Sequence, residues 1–233
     1  MEGFCLYSTY LMLFKATKED QSKLLSLPES GMGYQLITAR FTSEYKSRKL
    51  IVLNSEIVIE HDETEKLYFN KIVQEGWEEI KSTSKEQPLV NIELKSKIEY
   101  FNLISEEGIT RTKAARENPV QHANGWMAYV RLSAFYDDKR IDRVNKCLRA
   151  GSYTTTIDDY LACTINKYDP IERYAIPNKD PIKWAFNIVP KTTDTFQQGI
   201  VQSDFGKKGG GVECYFEKGT SFGTFTSEAQ FPY

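Results

Sequence analysis

Closely spaced cysteines, histidine and long apolar runs are all scarce in this sequence. Its four cysteines stand far apart along 233 residues, and only two histidines are present. Structural zinc sites usually draw on tightly spaced Cys and His pairs, so no metal site is predicted. Isolated cysteines favour reduced, structural thiols in a cytosolic protein, and two disulfides in a secreted protein are the alternative.

The sequence also lacks an excess of either charge and a segment long enough to span a bilayer. Lys and Arg number 30 against 32 Asp and Glu, which gives a formal net charge of −2. A global positive field for nucleic acid or for an anionic membrane is therefore absent, although a local basic patch is compatible with that total. The apolar stretch at residues 3–14 falls short of the roughly 20 residues that a spanning helix needs. We expect a cytoplasmic protein without a membrane partner.

Length and patterning predict an α+β protein built from two regions. We expect an N-terminal α/β region of unknown role at residues 1–105 and a β-rich region at residues 120–233. The polar, turn-rich stretch at residues 105–125 is the predicted connection between them. It carries a small basic cluster that is either solvated or contacts an anion or phosphate, namely Arg111, Lys113 and Arg116.

Hydrophobic periodicity predicts the secondary structure of both regions. Residues rich in β-branched side chains favour strands at 34–41 and 49–60, joined as a hairpin. Helical spacing of apolar residues favours a helix that ends near Ile80, and a weaker one over residues 92–104. A charged helix is predicted over residues 137–148. Further strands are predicted at residues 126–135, 152–156, 173–177, 184–190, 199–202, 212–216 and 222–225.

A run of three glycines near the C-terminus is the most informative motif. Gly209, Gly210 and Gly211 lead directly into the apolar stretch at residues 212–216. Such a run marks positive φ angles or a close approach of the backbone to a ligand. Glu213 is the acid of that strand, and its immediate neighbours point to the other face. Glu213 is therefore expected at the edge of a glycine-lined cleft, or exposed on a tight hairpin.

A second motif, LRAGSYTTTIDDY, occupies residues 148–160. It places an arginine, a tyrosine and three threonines ahead of two adjacent acids, Asp158 and Asp159. Because acids favour the first turn of a helix, we expect the two aspartates at a helix start rather than as a catalytic pair.

Together these motifs, over about residues 149–225, resemble the ADP-ribosyltransferases and the NAD glycohydrolase domains of bacterial polymorphic toxins. The family's order is an arginine, then a Ser/Thr-rich strand, then a catalytic glutamate. The resemblance implies an ADP-ribosyltransferase-like module in which Glu213 is catalytic. It also implies NAD-binding residues, namely Arg149 or Arg131 on a phosphate, Tyr153 stacked on nicotinamide, Thr154 and Thr155 in the pocket, and Gly210 and Gly211 beside them.

The function implied by the resemblance is consumption of NAD as a substrate, by a toxin or effector delivered into a target cell. Family members often carry Glu or Gln two residues before the catalytic Glu, where this chain has Gly211. ADP-ribosyl transfer to a protein or nucleic-acid acceptor and NAD hydrolysis therefore both stay open, and a cognate inhibitor protein is a further expected partner. The alternatives are a non-catalytic nucleotide- or protein-binding module, and an RNA-acting toxin that uses Lys207, Lys208 and the basic cluster.

Overall fold

The computed structural model of the protein describes residues 12–41, 48–60, 77–82, 113–178 and 180–232. Strands predominate in these ranges, and the pairings between them are antiparallel. The protein is therefore mostly β. No helix in the described part of the chain has the length and apolar character needed to cross a membrane.

The first sheet has five strands in the order β1-β4-β3-β2-β5. A helix, α1 (Lys18–Ser26), follows β1, and the Thr17 side chain caps it by accepting a hydrogen bond from the Asp20 amide. Leu24 of α1 is fully buried in one cluster with residues of the sheet such as Ile37 and Val52. The strands are β1 (Met12–Lys15), β2 (Tyr34–Phe41), β3 (Arg48–Leu53), β4 (Ile57–Glu60) and β5 (Trp77–Ser82).

The second sheet has seven strands in the order β14-β11-β7-β10-β13-β12-β6, and a separate two-stranded hairpin pairs β8 with β9. Its central strands are short, and every residue of β7, β10 and β13 is buried. The strands are β6 (Gln121–His122), β7 (Tyr129–Ser133), β8 (Ile141–Asp142), β9 (Cys147–Leu148), β10 (Ser152–Thr156), β11 (Trp184–Ile188), β12 (Thr195–Ile200), β13 (Val212–Phe216) and β14 (Phe225–Gln230).

Both faces of the second sheet are covered, by different material. Tyr215 of β13 packs in one cluster with residues of two helices, α2 (Ile157–Ile165) and α3 (Pro170–Arg173), and with Ala115 of a 3₁₀ helix (Ala115–Glu117). We call this side the helix face. Val212, Cys214 and Phe216 pack in another cluster with Ile141 and Leu148 of the β8–β9 hairpin. We call that side the loop face, and successive residues of β13 alternate between the two.

Most strands predicted from the sequence are confirmed. The hairpin of β2 with β3 is present, with Tyr34 opposite Leu53, and β7, β10, β11, β12, β13 and β14 fall on or beside the predicted segments. Asp158 and Asp159 lie in the first turn of α2, as predicted. Cys147, Cys163 and Cys214 are buried thiols, in keeping with a structural role, and Cys5 lies outside the described residues.

Three predicted elements are wrong. Residues 137–148 form the β8–β9 hairpin because the Asp142 carboxylate accepts hydrogen bonds from the amides of Val144 and Asn145, which holds a turn that competes with a helix. Residues 173–177 form the end of α3 and a turn, since the Asp169 side chain caps a helix there. Residues 77–82 pair with β2 as β5, so tertiary pairing overrides their helical periodicity. The rest of that predicted helix and the one over residues 92–104 lie outside the described residues.

Residues after α1 connect the first sheet to the second. The Glu29 amide donates to the carbonyl of Gly151 at 2.8 Å, and the Glu29 carboxylate pairs with Arg131. The Asn54 side chain donates to the carbonyl of Asp137 at 3.0 Å. Residues 25–55 thus contact the second sheet directly through polar groups.

Candidate functional site

Glu213 lies near the centre of the second sheet, on the helix face. Its strand β13 has β10 on one side and β12 on the other, and Gly199 of β12 is its cross-strand partner. Only 8% of Glu213 is exposed, and its Oε1 atom accepts a hydrogen bond from the backbone amide of Ala115 at 3.0 Å. The sequence predicted Glu213 either at the edge of an open cleft or exposed on a hairpin. The structure shows neither, because the carboxylate is covered.

The segment that covers Glu213 can approach because residue 199 is glycine. A Cβ atom at Gly199 would lie 2.4 Å from the Ala115 nitrogen and 2.5 Å from the Lys113 carbonyl oxygen. The amide of Ile200 donates to that same Lys113 carbonyl at 2.9 Å. Residues 113–117 therefore pack directly on β12, over the glutamate. We call residues 113–117 the covering segment.

Two tyrosine rings and one guanidinium lie on the same face of the sheet as the glutamate. The rings of Tyr153 and Tyr215, which are cross-strand partners on the helix face, have centroids 4.9 Å apart. The Arg116 guanidinium carbon lies 4.2 Å from the Tyr215 ring centroid and 5.4 Å from that of Tyr153. Arg116 also donates from Nη2 to the Glu29 carbonyl, yet the residue as a whole is exposed. This arginine is the solvent-facing member of the group.

The tyrosine hydroxyls near Glu213 stay protonated at neutral pH. Burial raises the pKa of Tyr153 well above its ordinary value of 10.0, and the negative charge of Glu213 raises it further. Burial likewise raises the pKa of Tyr34 well above that value, with smaller contributions from Asp204 and Glu213. Neutral phenols donate hydrogen bonds to anions and cannot act as bases. The group thus supplies donors and aromatic faces around one carboxylate.

The glycine run has the predicted positive φ angles, at 72° for Gly209 and 91° for Gly210. The backbone of the glycine run closely approaches other parts of the protein. The Gly209 amide donates to the Glu172 carbonyl at 2.9 Å, and a Cβ at Gly211 would lie 2.5 Å from the Tyr174 ring. Gly210 donates its amide to the Val201 carbonyl. The glycines therefore seat the start of β13 against α3 instead of lining an open cleft.

A buried carboxylate fixes that same strand start. Asp159 Oδ2 accepts hydrogen bonds from the Val212 amide at 3.1 Å and from the Tyr174 hydroxyl at 2.8 Å. Its other oxygen pairs with Arg173, which is itself 4% exposed. Because Val212 is adjacent to Glu213, this network determines where the glutamate lies.

Both arginines proposed from the sequence as phosphate ligands are engaged elsewhere. Arg131 is fully buried and forms ion pairs with Glu29 and Asp138, each at 2.8 Å. Burial alone would lower the pKa of Arg131, but Asp138 and Glu29 outweigh it and raise that pKa, so the side chain stays charged. Arg149 is 43% exposed and pairs with Asp142 at 3.2 Å. Arg131 also donates to the backbone carbonyl of Tyr153 at 3.0 Å, so it supports the group around Glu213 from behind, but its guanidinium is committed to the two acids and is not exposed to a ligand.

The two threonines proposed for the pocket project to opposite faces of the sheet. Thr154 is opposite Cys214 and so projects to the loop face, away from Glu213. Thr155 is fully buried, and its hydroxyl contacts the Tyr174 hydroxyl at 3.3 Å. Lys207 pairs with Glu172 at 2.9 Å, which reduces the support for an RNA site, and Arg111 lies outside the described residues.

Of the predicted site residues, the structure thus places Tyr153 and Thr155 on the same face of the sheet as Glu213. The sequence also pointed to Arg116, as part of a basic cluster with an anion-binding alternative. It did not point to Tyr34, Tyr215 or the Ala115 amide, because these reach the site only through strand pairing and packing. A cavity of about 10 Å³, lined by Met32 among others, is about the size of a single water.

Comparison with known proteins found no matching family, no matching curated sequence and no matching solved structure.

Proposed function

We propose that the protein cleaves the nicotinamide–ribose bond of NAD, with Glu213 as the catalytic carboxylate. The observation that supports this most directly is the meeting of Glu213, Tyr153, Tyr215 and Arg116 at one place on the helix face. A carboxylate, aromatic faces and a cation are the groups that a positively charged nicotinamide ribotide with a pyrophosphate requires.

The chemistry assigned to Glu213 is electrostatic. As the bond between ribose C1′ and the nicotinamide nitrogen breaks, its electron pair leaves with the neutral nicotinamide and positive charge develops on the ribose. A carboxylate held in a largely water-excluded site stabilises that charge, as in glycoside hydrolysis. Water then attacks C1′ and loses a proton to solvent, which gives hydrolysis. An acceptor side chain or base in place of water gives ADP-ribosyl transfer.

Arg116 takes the role that the sequence analysis gave to Arg149 or Arg131. Arginine contacts phosphate oxygens through two parallel N–H groups, so an exposed arginine beside the tyrosines suits the pyrophosphate. Engagement of NAD then requires the covering segment to withdraw the Ala115 amide from Glu213. The carboxylate exchanges that hydrogen bond for one to a ribose hydroxyl.

The test is release of nicotinamide by the purified protein and by two matched variants. Glu213→Gln keeps the shape of the side chain but removes its charge, and we expect turnover to fall by about 100-fold or more. Glu217→Gln makes the same change at an exposed residue just beyond β13 and should leave turnover unaltered. Full turnover by Glu213→Gln would overturn the proposal.

The role of Arg116 is tested by the kinetics of Arg116→Ala. Loss of a phosphate contact should raise KM for NAD by roughly tenfold, with a smaller effect on kcat. Lys208→Ala removes another exposed cation and serves as the control. Equal effects of the two substitutions would argue for a general influence of charge and against a specific phosphate contact.

One observation favours a non-catalytic binding module as the second candidate. The Glu213 carboxylate accepts the Ala115 amide at the first residue of the 3₁₀ helix, which is the contact of a purely structural capping group. This candidate predicts that calorimetry detects binding of NAD while no nicotinamide is released. It also predicts that Glu213→Gln lowers the free energy of unfolding but leaves the binding of NAD intact.

A further inference from the structure

The outer surface of the loop face exposes large apolar side chains. Four segments form this surface: the loops at residues 123–127, 190–194 and 217–224, and residues 143–149, which hold the turn of the β8–β9 hairpin together with β9. We call them the loop layer. Trp126 is 74% exposed, Val144 91% and Phe222 68%. A single exposed apolar residue is ordinary, but three on neighbouring loops are a feature that calls for a partner.

Hydrogen bonds tie the four segments into one layer. The Ala123 amide donates to the Asp194 carbonyl at 2.9 Å, and the Ser221 amide donates to the Asp194 carboxylate at 3.0 Å. The Gly223 amide donates to the Asn145 carbonyl at 3.1 Å. Each exposed apolar residue is therefore one or a few residues from a bond that joins its loop to the next. Their relative positions are fixed by the fold.

The charge of the loop layer is predominantly basic, unlike that of the whole chain. Lys146, Lys191 and Lys218 are exposed, whereas Arg143 and Arg149 form ion pairs with Glu228 and Asp142 and so add little net charge. Of the acids in these loops, Asp194 is buried and bonded to Ser221, which leaves Glu217 as the exposed one. A net charge of −2 over the chain thus conceals a local positive surface.

We propose that the loop layer docks onto an anionic lipid bilayer, with Trp126, Val144 and Phe222 in the interface and the three lysines against the headgroups. Trp and Phe are favoured at the membrane–water interface, and lysines near it are attracted by anionic lipids. Nucleic acid would offer no environment for the most exposed residue, the aliphatic Val144. Such a peripheral contact needs no membrane-spanning helix, and none is found in the described residues. It revises the expectation that the protein has no membrane partner.

The proposal does not rest on the assignment of NAD chemistry. The loop layer covers one face of the second sheet, and Glu213 lies on the other. A docked protein therefore keeps the helix face and Arg116 toward solution. Bilayer binding can succeed or fail while the proposed activity does the opposite.

Co-sedimentation of the full chain with vesicles tests the docking. Vesicles contain either phosphatidylcholine alone or equal parts of phosphatidylcholine and phosphatidylserine. We expect binding to the mixed vesicles that weakens with added salt. The double substitution Trp126→Ser and Phe222→Ser should reduce the partition coefficient by about tenfold or more. Lys146→Glu, Lys191→Glu and Lys218→Glu together should remove the preference for phosphatidylserine.

The matched control is Ile165→Ser, because Ile165 is 76% exposed at the end of α2, which belongs to the helix face. It should bind vesicles like the unaltered protein. Absence of binding to the mixed vesicles, or equal binding to both kinds, would overturn the proposal. So would a loss caused by Ile165→Ser as large as that caused by the double substitution.

Discussion

The carboxylate of Glu213 accepts a hydrogen bond, at 3.0 Å, from the backbone amide of Ala115, 98 positions earlier in the chain. The contact joins β13, which lies next to the central strand of the second sheet, to the covering segment. It gives Glu213 a buried partner, and it makes access to the glutamate depend on where residues 113–117 lie. Gly199 is the residue on which that arrangement depends, since it leaves room for the backbone to cross β12.

Replacement of Gly199 by alanine should displace the covering segment. The added methyl group would collide with backbone atoms at 2.4–2.5 Å, and backbone cannot rotate away as a flexible side chain can. We expect a loss of about 1–3 kcal/mol in the free energy of unfolding, measured with urea, as for other overpacked sites. Ser203→Ala, on the exposed loop after β12, should change it by less than about 0.5 kcal/mol. Equal stability of the two variants would contradict the close packing.

Arg131 and Arg149 should respond differently to removal. Arg131→Met removes the ion-pair partner of buried Asp138 and leaves buried Glu29 with only the more distant Arg140, at 3.8 Å, so the free energy of unfolding should fall by about 3–5 kcal/mol. Arg149→Ala breaks a partly exposed pair and should cost less than about 1 kcal/mol. Urea unfolding measures both. A rise in KM for NAD in Arg149→Ala, at full stability, would restore Arg149 as the phosphate ligand.

Asp159 should be far more sensitive to substitution than its neighbour Asp158. Asp159→Asn removes the charge that faces Arg173 and weakens the acceptor of the Val212 amide, so we expect a loss of about 3 kcal/mol or more. Asp158→Asn, in the same helical turn but half-buried, is the matched control and should change stability by less than about 1 kcal/mol. Similar effects of the two would show that the network does not anchor β13.

Stability should fall in acid partly through Asp142. The Asn145 amide donates to this carboxylate and, with Arg149, lowers its pKa below the ordinary value of 3.8. A pKa lowered by folding stabilises the protein above the unfolded value, and that stabilisation is lost as the pH falls through the folded value. Asp142→Asn should therefore reduce the free energy of unfolding at neutral pH, and the difference from the unaltered protein should shrink in acid below 3.8.

The free energies of unfolding of Asp142→Asn and of the unaltered protein are measured with urea, from neutral pH into acid. Asp137→Asn, at a 72% exposed carboxylate, provides a control that should differ little from the unaltered protein at any pH. A difference for Asp142→Asn that stays constant into acid would mean that the turn is held by shape and not by the carboxylate charge.

Local sequence patterns predicted the strands well where every residue of the strand is buried. β10 and β13 consist of buried residues flanked by turn-forming glycines, and their bounds follow from the sequence alone. The helix predicted for the charged stretch at residues 137–148 is wrong, because its charged side chains form buried ion pairs and hold a turn instead of lining a solvated helix face. Periodicity carries no information about which charges will find partners 100 residues away.

The sequence by itself determined that Glu213 stands on a short apolar strand after a glycine run, that Asp158 and Asp159 open a helix, and that the chain has no overall excess of charge. Only the tertiary structure decided that Arg131 is buried between two acids, that Arg116 lies over Tyr215, and that three exposed apolar residues share one layer. The first set depends on spacing within a few residues, because the backbone geometry of a strand or helix fixes the direction in which each side chain projects. The second depends on strand order and on loops crossing a sheet, which bring distant residues together through packing that no local pattern encodes.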